Sequence, residues 1–411
     1  MCIACITEHA RLERNGRRPD SEVERMLDDF AVQSALSGDF SPFQHGTTFH
    51  VRAASVDPYL APLVARSDRK VADEASSLKV CNPPPHMHAC CTSAYQQERK
   101  LSALLPQPPG QHHNIMEDSL MNAVCKARDG DQIILASGVH ALGGNTVTVT
   151  KRVLFRNEDD HDAIATIDQR SNSPALRILR SCVISGVSID MSGHREAVMV
   201  SGSSRVQPLL SSVSIDAGSD DALSFSGSSS PILHRCLTSG AKHCGLECIE
   251  KAAPYLVQCS ILQSERSGAK VMDRARMIAV HSEFAESEED GVAVMEHASV
   301  ELKKCNVHGN RNTGVDASMD ARMCIRGCAM KGNGCNVMLM QNAELEECVS
   351  SELVGSKCAL CADECTSVGS MRGTHIVGGV YPQGLMEQHG GEGGKEECIR
   401  YLPSMERRSN W

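Results

Sequence analysis

Two ladders of residues run through the middle of the chain with a single spacing. Cys236, Cys259, Ser282, Cys305 and Cys328 follow one another at steps of 23, and Gly245, Gly268, Gly291 and Gly314 do the same. Three whole units can be cut in this register: APYLVQCSILQSERSGAKVMDRA (253–275), RMIAVHSEFAESEEDGVAVMEHA (276–298) and SVELKKCNVHGNRNTGVDASMDA (299–321). A fourth, RMCIRGCAMKGNGCNVMLMQNA (322–343), is one residue shorter, and looser relatives reach upstream through DALSFSG (221–227) and EAVMVSG (196–202).

A period near 23 has few structural solutions. Leucine-rich repeats need an L-x-x-L-x-L pattern, and two-helix repeats need more than about 30 residues of helical periodicity. The units here hold short apolar-alternating strands separated by Gly, Asn and Ser turns, so each reads as one coil of a parallel β-helix. Adjacent coils would stack at about 4.8 Å, giving a rod of about 50 Å for ten to twelve coils. The usual handedness of parallel crossovers makes it right-handed. Aromatic residues are only 3% of the chain, which suits a core of small and β-branched side chains in layers.

The expected organisation has three parts. Residues 115–381 form an all-β, single-stranded right-handed parallel β-helix of about 10–12 coils of ~23 residues. Residues 1–114 form a partly helical, partly disordered N-terminal extension, and residues 382–411, with the Gly-rich QHGGEGGKEE, a C-terminal tail. In the extension, Ser21 and Glu24 fit a capping box, and Val23, Met26, Leu27 and Phe30 share one helical face, which predicts a helix over 22–37. The Pro- and His-rich stretch 81–114 reads as linker. After it, DSLMNAVCKARDGDQIIL predicts a short helix with Leu120, Ala123, Val124 and Ala127 inward, then a turn and a strand.

Residues 117–380 resemble the right-handed β-helix repeats of the pectin-lyase-like superfamily, the segment NAVCKARDGDQIILASGVHAL being similar to its opening coil. The Gly-apolar-x-apolar-x-x-x-Ala rhythm most resembles the repeats of F-box-only ubiquitin-ligase adaptors and of the Shc-binding, spindle-associated protein. No F-box-like helical signature stands in residues 1–114, so the ligase role is not implied.

The formal charge of −10 includes no long single-sign run, which argues against nucleic-acid binding and a polybasic membrane anchor. No apolar run approaches the 18–20 or so residues of a membrane helix, and the apolar patch in MCIACITEHARLERNGRRPD is too short for a signal peptide, so an intracellular, cytoplasmic location is expected. Twenty cysteines in a long chain of this kind are expected to be free, buried thiols.

Three candidate chemistries compete with a purely architectural reading. The stretch 217–248 is similar in layout to the paired-Asp strand and Gly-His-Gly turn of polygalacturonases. That resemblance casts Asp220, Asp221 and His243 as catalytic groups of an inverting hydrolase. The flanking coils depart from it, with SGHREAVMV in place of Asn-Thr-Asp and ERSGAKVMDRA in place of Arg-Ile-Lys, and the only Trp is Trp411. Lyase chemistry would need carboxylates binding Ca²⁺; Glu288, Glu289, Asp290, Asp316 and Asp320 read instead as acidic turns on a solvated rod. Cys358, Cys361 and Cys365 with His375 could hold zinc, but register counting places Cys358 at the Gly position and Cys361 inward, where packing explains them. The Cys2/Cys5 pair and the HMH (86–88) and QHHN (111–114) histidines read as solvated chain.

No cofactor is expected. The reading is a non-catalytic scaffold that binds protein partners through its outer face, with a polysaccharide hydrolase or lyase at the Asp220/Asp221 coil as the alternative. Inward residues are expected at Val292, Val294, Val315, Leu246, Cys248, Leu223 and Phe225, and outward, freely varying ones at Glu247, Lys270, Ala293 and Asp316.

Overall fold

The computed structural model describes residues 46–53, 114–158 and 164–381, apart from 194, 204–205, 219 and 364. The expected helix over 22–37, most of the linker and the C-terminal tail lie outside the described residues.

The described chain is a right-handed parallel solenoid of about ten coils with three walls. One wall is a 13-stranded parallel sheet running from Asn114–Glu117 to Ser367–Ser370. The other two are ladders within one 20-stranded network. A middle ladder contains Leu237–Ser239, Ser260–Leu262, Glu283–Ala285 and Asn306–His308 in register. A third contains Leu223–Gly227, Leu246–Cys248, Ala269–Val271, Val292–Val294 and Thr313–Ala317. The strand Glu352–Ala362 pairs with both ladders and joins them.

Strand alternation decides what the core contains. Val292, Val294, Val315, Leu246, Cys248, Leu223 and Phe225 are all buried in it, as the repeat predicts. Their register partners are stacked directly above and below, so each coil buries its apolar side only against its neighbours.

The turns explain the two ladders. In the Cys/Ser ladder each side chain bonds the carbonyl two residues back: Cys259 to Val257, Ser282 to Val280, Cys305 to Lys303, Cys328 to Arg326 and Ser351 to Val349. Backbone N–H groups of Cys259 and Cys328 donate in turn to the Ser hydroxyls of the next coil. A thiol and a hydroxyl of similar size therefore do one job, and every described cysteine is a free thiol. The glycine ladder is not a ladder of left-handed turns. Gly245, Gly268, Gly291 and Gly314 are absent from the positive-φ residues, and what excludes a side chain is the next coil. A Cβ on Gly291 would lie 2.7 Å from Gly314 O and 2.7 Å from Asn310 Nδ2.

Asn310 and Asn333 form a buried polar rail in this corner. Each accepts the N–H of the residue one coil back, Ser287 and Asn310 respectively, and each amide donates inward to a strand carbonyl, Phe284 O and Val307 O. Left-handed residues recur at the other corners as well, one column of them being Glu250, Asp273, Glu296 and Met319 with φ near +60°. There Glu250 Oε2 accepts Gly227 N–H at 2.6 Å and Asp273 Oδ2 accepts Glu250 N–H at 2.7 Å.

At the N-terminal end, β1 (Thr48–Val51) lies between β2 (Asn114–Glu117) and β3 (Gln132–Leu135), parallel to both. Phe49 and Val51 point into the core. Asp131 fixes the strand by accepting Thr47 N–H at 2.7 Å, while its other oxygen accepts Arg128 N–H. The boundary drawn at residue 114 is therefore one of composition, since residues 46–53 of the assigned extension belong to the solenoid. Helix α1 (Leu120–Lys126) closes this end, with Leu120, Ala123 and Val124 buried and Ser119 as its N-cap. Among the described residues no helix is long and apolar enough to cross a membrane.

Candidate functional site

The residue two places before the first inward strand residue of the third ladder has the same place in every coil. From Val198 to Leu360 that column reads Glu196, Asp221, Cys244, Ser267, Asp290, Thr313, Cys335 and Cys358. Beside it, on the outer side of the strands, runs Met199, Ser224, Glu247, Lys270, Ala293, Asp316, Met338 and Cys361. Together the two columns bring titratable groups from distant parts of the sequence onto one face.

At the upper part of this face Asp221 is 6% exposed, and its Oδ1 accepts both Cys244 N–H at 2.9 Å and a hydrogen bond from His243 Nδ1 at 2.8 Å. The first bond is architectural: Asp290 Oδ1 accepts Thr313 N–H at 3.0 Å in the same way, three coils on. The imidazole is the addition. Its side chain is 26% exposed, so the Asp221–His243 pair is anchored below and open above. Asp220 contributes its carbonyl, which accepts His243 N–H at 2.9 Å, while its side chain is exposed. Of the three residues proposed for catalysis, the fold joins Asp221 to His243 and turns Asp220 to solvent.

Four residues without an obvious sequence signal complete the cluster: Glu196, Cys244, Glu247 and Lys270. The Asp221, His243 and Cys244 donor atoms lie within 4.8 Å of one another. Burial, then the Asp221 charge, pushes the Glu247 carboxyl above its ordinary range, with Lys270 opposing. The same two causes push the Cys244 thiol up to about 12. Glu196 Oε2 is buried without a hydrogen-bond partner. The common offset from the inward strand residues is the signal that would have found Glu196 and Cys244.

Two coils further on, Asp290 and Asp316 form a second carboxyl pair. Burial raises Asp290 to about 6, and burial followed by the Asp290 charge raises Asp316 to about 7. Asp316 Oδ1 is buried and has no hydrogen-bond partner. Asp290 and Asp316 are thus not the solvated turn residues that the sequence suggests. Glu288, by contrast, is exposed and pairs with Arg311 at 2.9 Å, and Asp320 is exposed. Ala293, expected to be outward and exposed, does lie on the outer side, but between Lys270 and Asp316 it is 1% exposed. A methyl in a row of longer side chains is covered by them.

The cysteines near the C-terminal end require a correction. Cys358 is in register with Cys335, and Cys361 with Met338 in the outer column. The step from Gly314 is 22 to Asn336 and then 23 to Ala359, so a count that puts Cys358 at the Gly position is one residue short, and a slip of one residue exchanges the two faces of a strand. Cys358 is therefore not at the Gly position, and Cys361 is not inward. His375 is in register with Glu352, whereas Cys358 lies opposite Gly379, so His375 is held away from the thiols. Cys365 follows the strand and is exposed. The thiol of Cys358 meets those of Cys335 and Cys361 instead.

A second concavity of about 560 Å³ lies at the corner of the Glu250 and Asp273 column, lined by Gly227, Glu250, Lys251, Asp273, Arg274 and His297 among others. The carboxylates of Glu250 and Asp273 there are engaged by backbone N–H groups.

A family model described as "right handed beta helix region" matches residues 137–322 and 254–380. No curated protein matches the sequence. Among solved structures, the pectate lyase Pel9A is 12% identical with a TM-score of 0.46, covering 61% of this chain and 71% of its own. ORF18 of Geobacillus virus E2 is 9% identical with a TM-score of 0.43, covering 62% and 54%. An alginate lyase from Paenibacillus sp. str. FPU-7 is 14% identical with a TM-score of 0.34, covering 54% and 95%.

Proposed function

The chain belongs to the right-handed β-helix family, and we propose that it is a protein-binding module whose recognition surface is the outer column of the third ladder. The observation that carries this reading is the sequence of chemistries along that column. Glu247, Lys270, Ala293, Asp316 and Met338 stand on successive coils, and with Ala293 covered by its neighbours the face offers an acid, a base, a second acid and a thioether in turn. Coils stack at about 4.8 Å. A polymer of identical sugars repeats its functional groups and is matched by a repeating surface; a polypeptide varies its groups residue by residue and matches a varying one. The inner positions are all apolar, so the polar variation lies on the outer side.

Aromatic placement supports the same reading. Phe155, Phe225 and Phe284 are fully buried, so these rings are not available as stacking platforms for sugar faces. The test is proximity labelling in cells with the full chain and with a Glu247→Ala, Lys270→Ala, Asp316→Ala triple variant that melts no lower than the wild type. A reproducible set of partners lost in the variant supports the reading; partners retained by it overturn it.

A second reading, polysaccharide cleavage, is favoured by one observation, the Asp221–His243 pair. Asp221 fixes the imidazole through Nδ1 and leaves Nε2 able to exchange a proton with a glycosidic substrate. Reducing-end and unsaturated-end assays on acidic and neutral polysaccharides separate the readings. Turnover abolished by Asp221→Asn would establish the enzyme; no turnover on any of them removes it.

A further inference from the structure

We infer that Asp221, His243 and Cys244 form a binding site for a divalent cation of the zinc class, with Glu196 or Glu247 as the fourth ligand. The inference stands on the geometry of the cluster and goes beyond the protein-binding reading, with which it shares Glu247.

Three donor atoms of different type, a carboxylate oxygen, an imidazole nitrogen and a thiol sulfur, lie within 4.8 Å of one another. They come from two adjacent coils: Asp221 and Cys244 share a column, and His243 is the neighbour of Cys244 in sequence. The donors are also held in place. Asp221 is fixed by the Cys244 N–H, the His243 imidazole by its Nδ1 bond to Asp221, and the His243 backbone by its N–H to Asp220 O. Little ordering is left for the metal to impose.

The charge around the site has the sign that a dication needs. Glu196, Asp221 and Glu247 converge there with Lys270 as the cation acting on Glu247. Glu196 adds a buried carboxylate oxygen with no hydrogen-bond partner. A polar atom in that position is costly unless something satisfies it. In the metal-free state the Asp221 oxygen is satisfied by the imidazole N–H; in the bound state the metal takes that place.

Ligand type selects the metal. Calcium and magnesium take all-oxygen sets, whereas one nitrogen, one sulfur and one or two carboxylate oxygens suit Zn²⁺ or Co²⁺ in four-coordinate geometry. Coordination requires the Cys244 S–H bond to break: a sulfur–metal bond forms and one proton passes to solvent. Neutral His243 shifts its ring proton to Nε2 and releases none. The bound metal would tie the coil of Asp221 to the coil of Cys244 and raise the stability of the rod.

The experiment is titration of the full chain with Co²⁺ under reducing conditions at pH 8, read by thiolate-to-cobalt charge-transfer absorbance, with Zn²⁺ as competitor. The chain holds other cysteines and histidines, so the reading is the difference between the wild type and Cys244→Ser. The expected result is one equivalent of charge-transfer signal absent from Cys244→Ser, displaced by Zn²⁺, and weakened at least about tenfold by His243→Ala. Cys259→Ser, which alters a buried thiol of the turn ladder, should leave it intact. A signal of equal size in the wild type and in Cys244→Ser, or no signal in the wild type, overturns the inference. Should Cys244→Ser fail to fold, Glu196→Gln with Glu247→Gln replaces it, and binding unchanged by both together with His243→Ala overturns the inference equally.

Discussion

Gly291 stands where any side chain would collide with Asn310: a Cβ there would be 2.7 Å from the Asn310 amide nitrogen and 2.7 Å from Gly314 O. Asn310 cannot withdraw, because its amide bonds Phe284 O and Asn333 Oδ1 and its oxygen accepts Ser287 N–H. Gly291→Ala should therefore destabilise the rod by about 1–3 kcal/mol. Gly309 is the contrasting case, with φ +68° and nothing nearer than 3.6 Å to a Cβ. Gly309→Asn should cost little, since Asn tolerates the left-handed region. Equal denaturation midpoints for Gly291→Ala and the wild type would show that the coil spacing can yield.

The same relationship marks how much the sequence discloses. The period exposes the coils, the inward valines and the presence of a glycine, because all of these repeat. It does not disclose that Gly291 is there for Asn310, since the two are 19 residues apart in sequence and meet only when coils stack. The site follows the same division. Asp221 and His243 are visible as residue types, while Glu196 and Lys270 join them only through coil-to-coil register. Cys358 and Cys361 fail for a local reason: the coil step is 22 between Thr313 and Cys335 and returns to 23 between Cys335 and Cys358, and a count one residue short there exchanges the faces of the strand. The pairing of β1 between β2 and β3 could not be counted at all, because no 23-residue step leads to it.

The turn thiols predict an unusual tolerance. Cys305 Sγ lies 3.3 Å from Ala279 O and 3.4 Å from Lys303 O, and the hydroxyls of Ser282 and Ser351 hold equivalent places in neighbouring coils. Cys305→Ser should stay within about 1 kcal/mol of the wild type, whereas Cys305→Val removes the donor from buried carbonyls and should cost about 1–3 kcal/mol. Chemical denaturation of the two variants checks the ranking; a more stable Val variant would show that packing, not the S–H donor, sets this position.

The Asp290–Asp316 pair gives stability a pH dependence of definite sign. An unfolded aspartate ionises near pH 4, but in the fold Asp290 holds its proton to about 6 and Asp316 to about 7. Their contribution is complete below about pH 4, falls as pH rises because the unfolded chain ionises first, and is lost above about 7. Asp316→Asn removes one of these titrations and relieves the other carboxyl of a neighbouring charge. It should match the wild type at pH 4 and exceed it at pH 8 by on the order of 1–2 kcal/mol. Melting curves across that range test it, and parallel profiles for the two proteins would refute the pairing.

Asp221 and His243 should separate when each is replaced, because only one of them is needed by the fold. Asp221→Ala leaves the buried Cys244 N–H without its acceptor and should cost about 1–3 kcal/mol, while Asp221→Asn keeps an acceptor oxygen and should cost less. The Asp290–Thr313 bond shows that this cap works with no histidine beside it. His243 is partly exposed, so His243→Ala should change stability by less than about 1 kcal/mol. That outcome would leave the imidazole, held at 2.8 Å from a buried carboxylate, without an architectural role. Thermal denaturation of the three variants decides the matter: a loss in His243→Ala as large as that in Asp221→Ala would make the imidazole part of the wall and remove the reason to look for a ligand there.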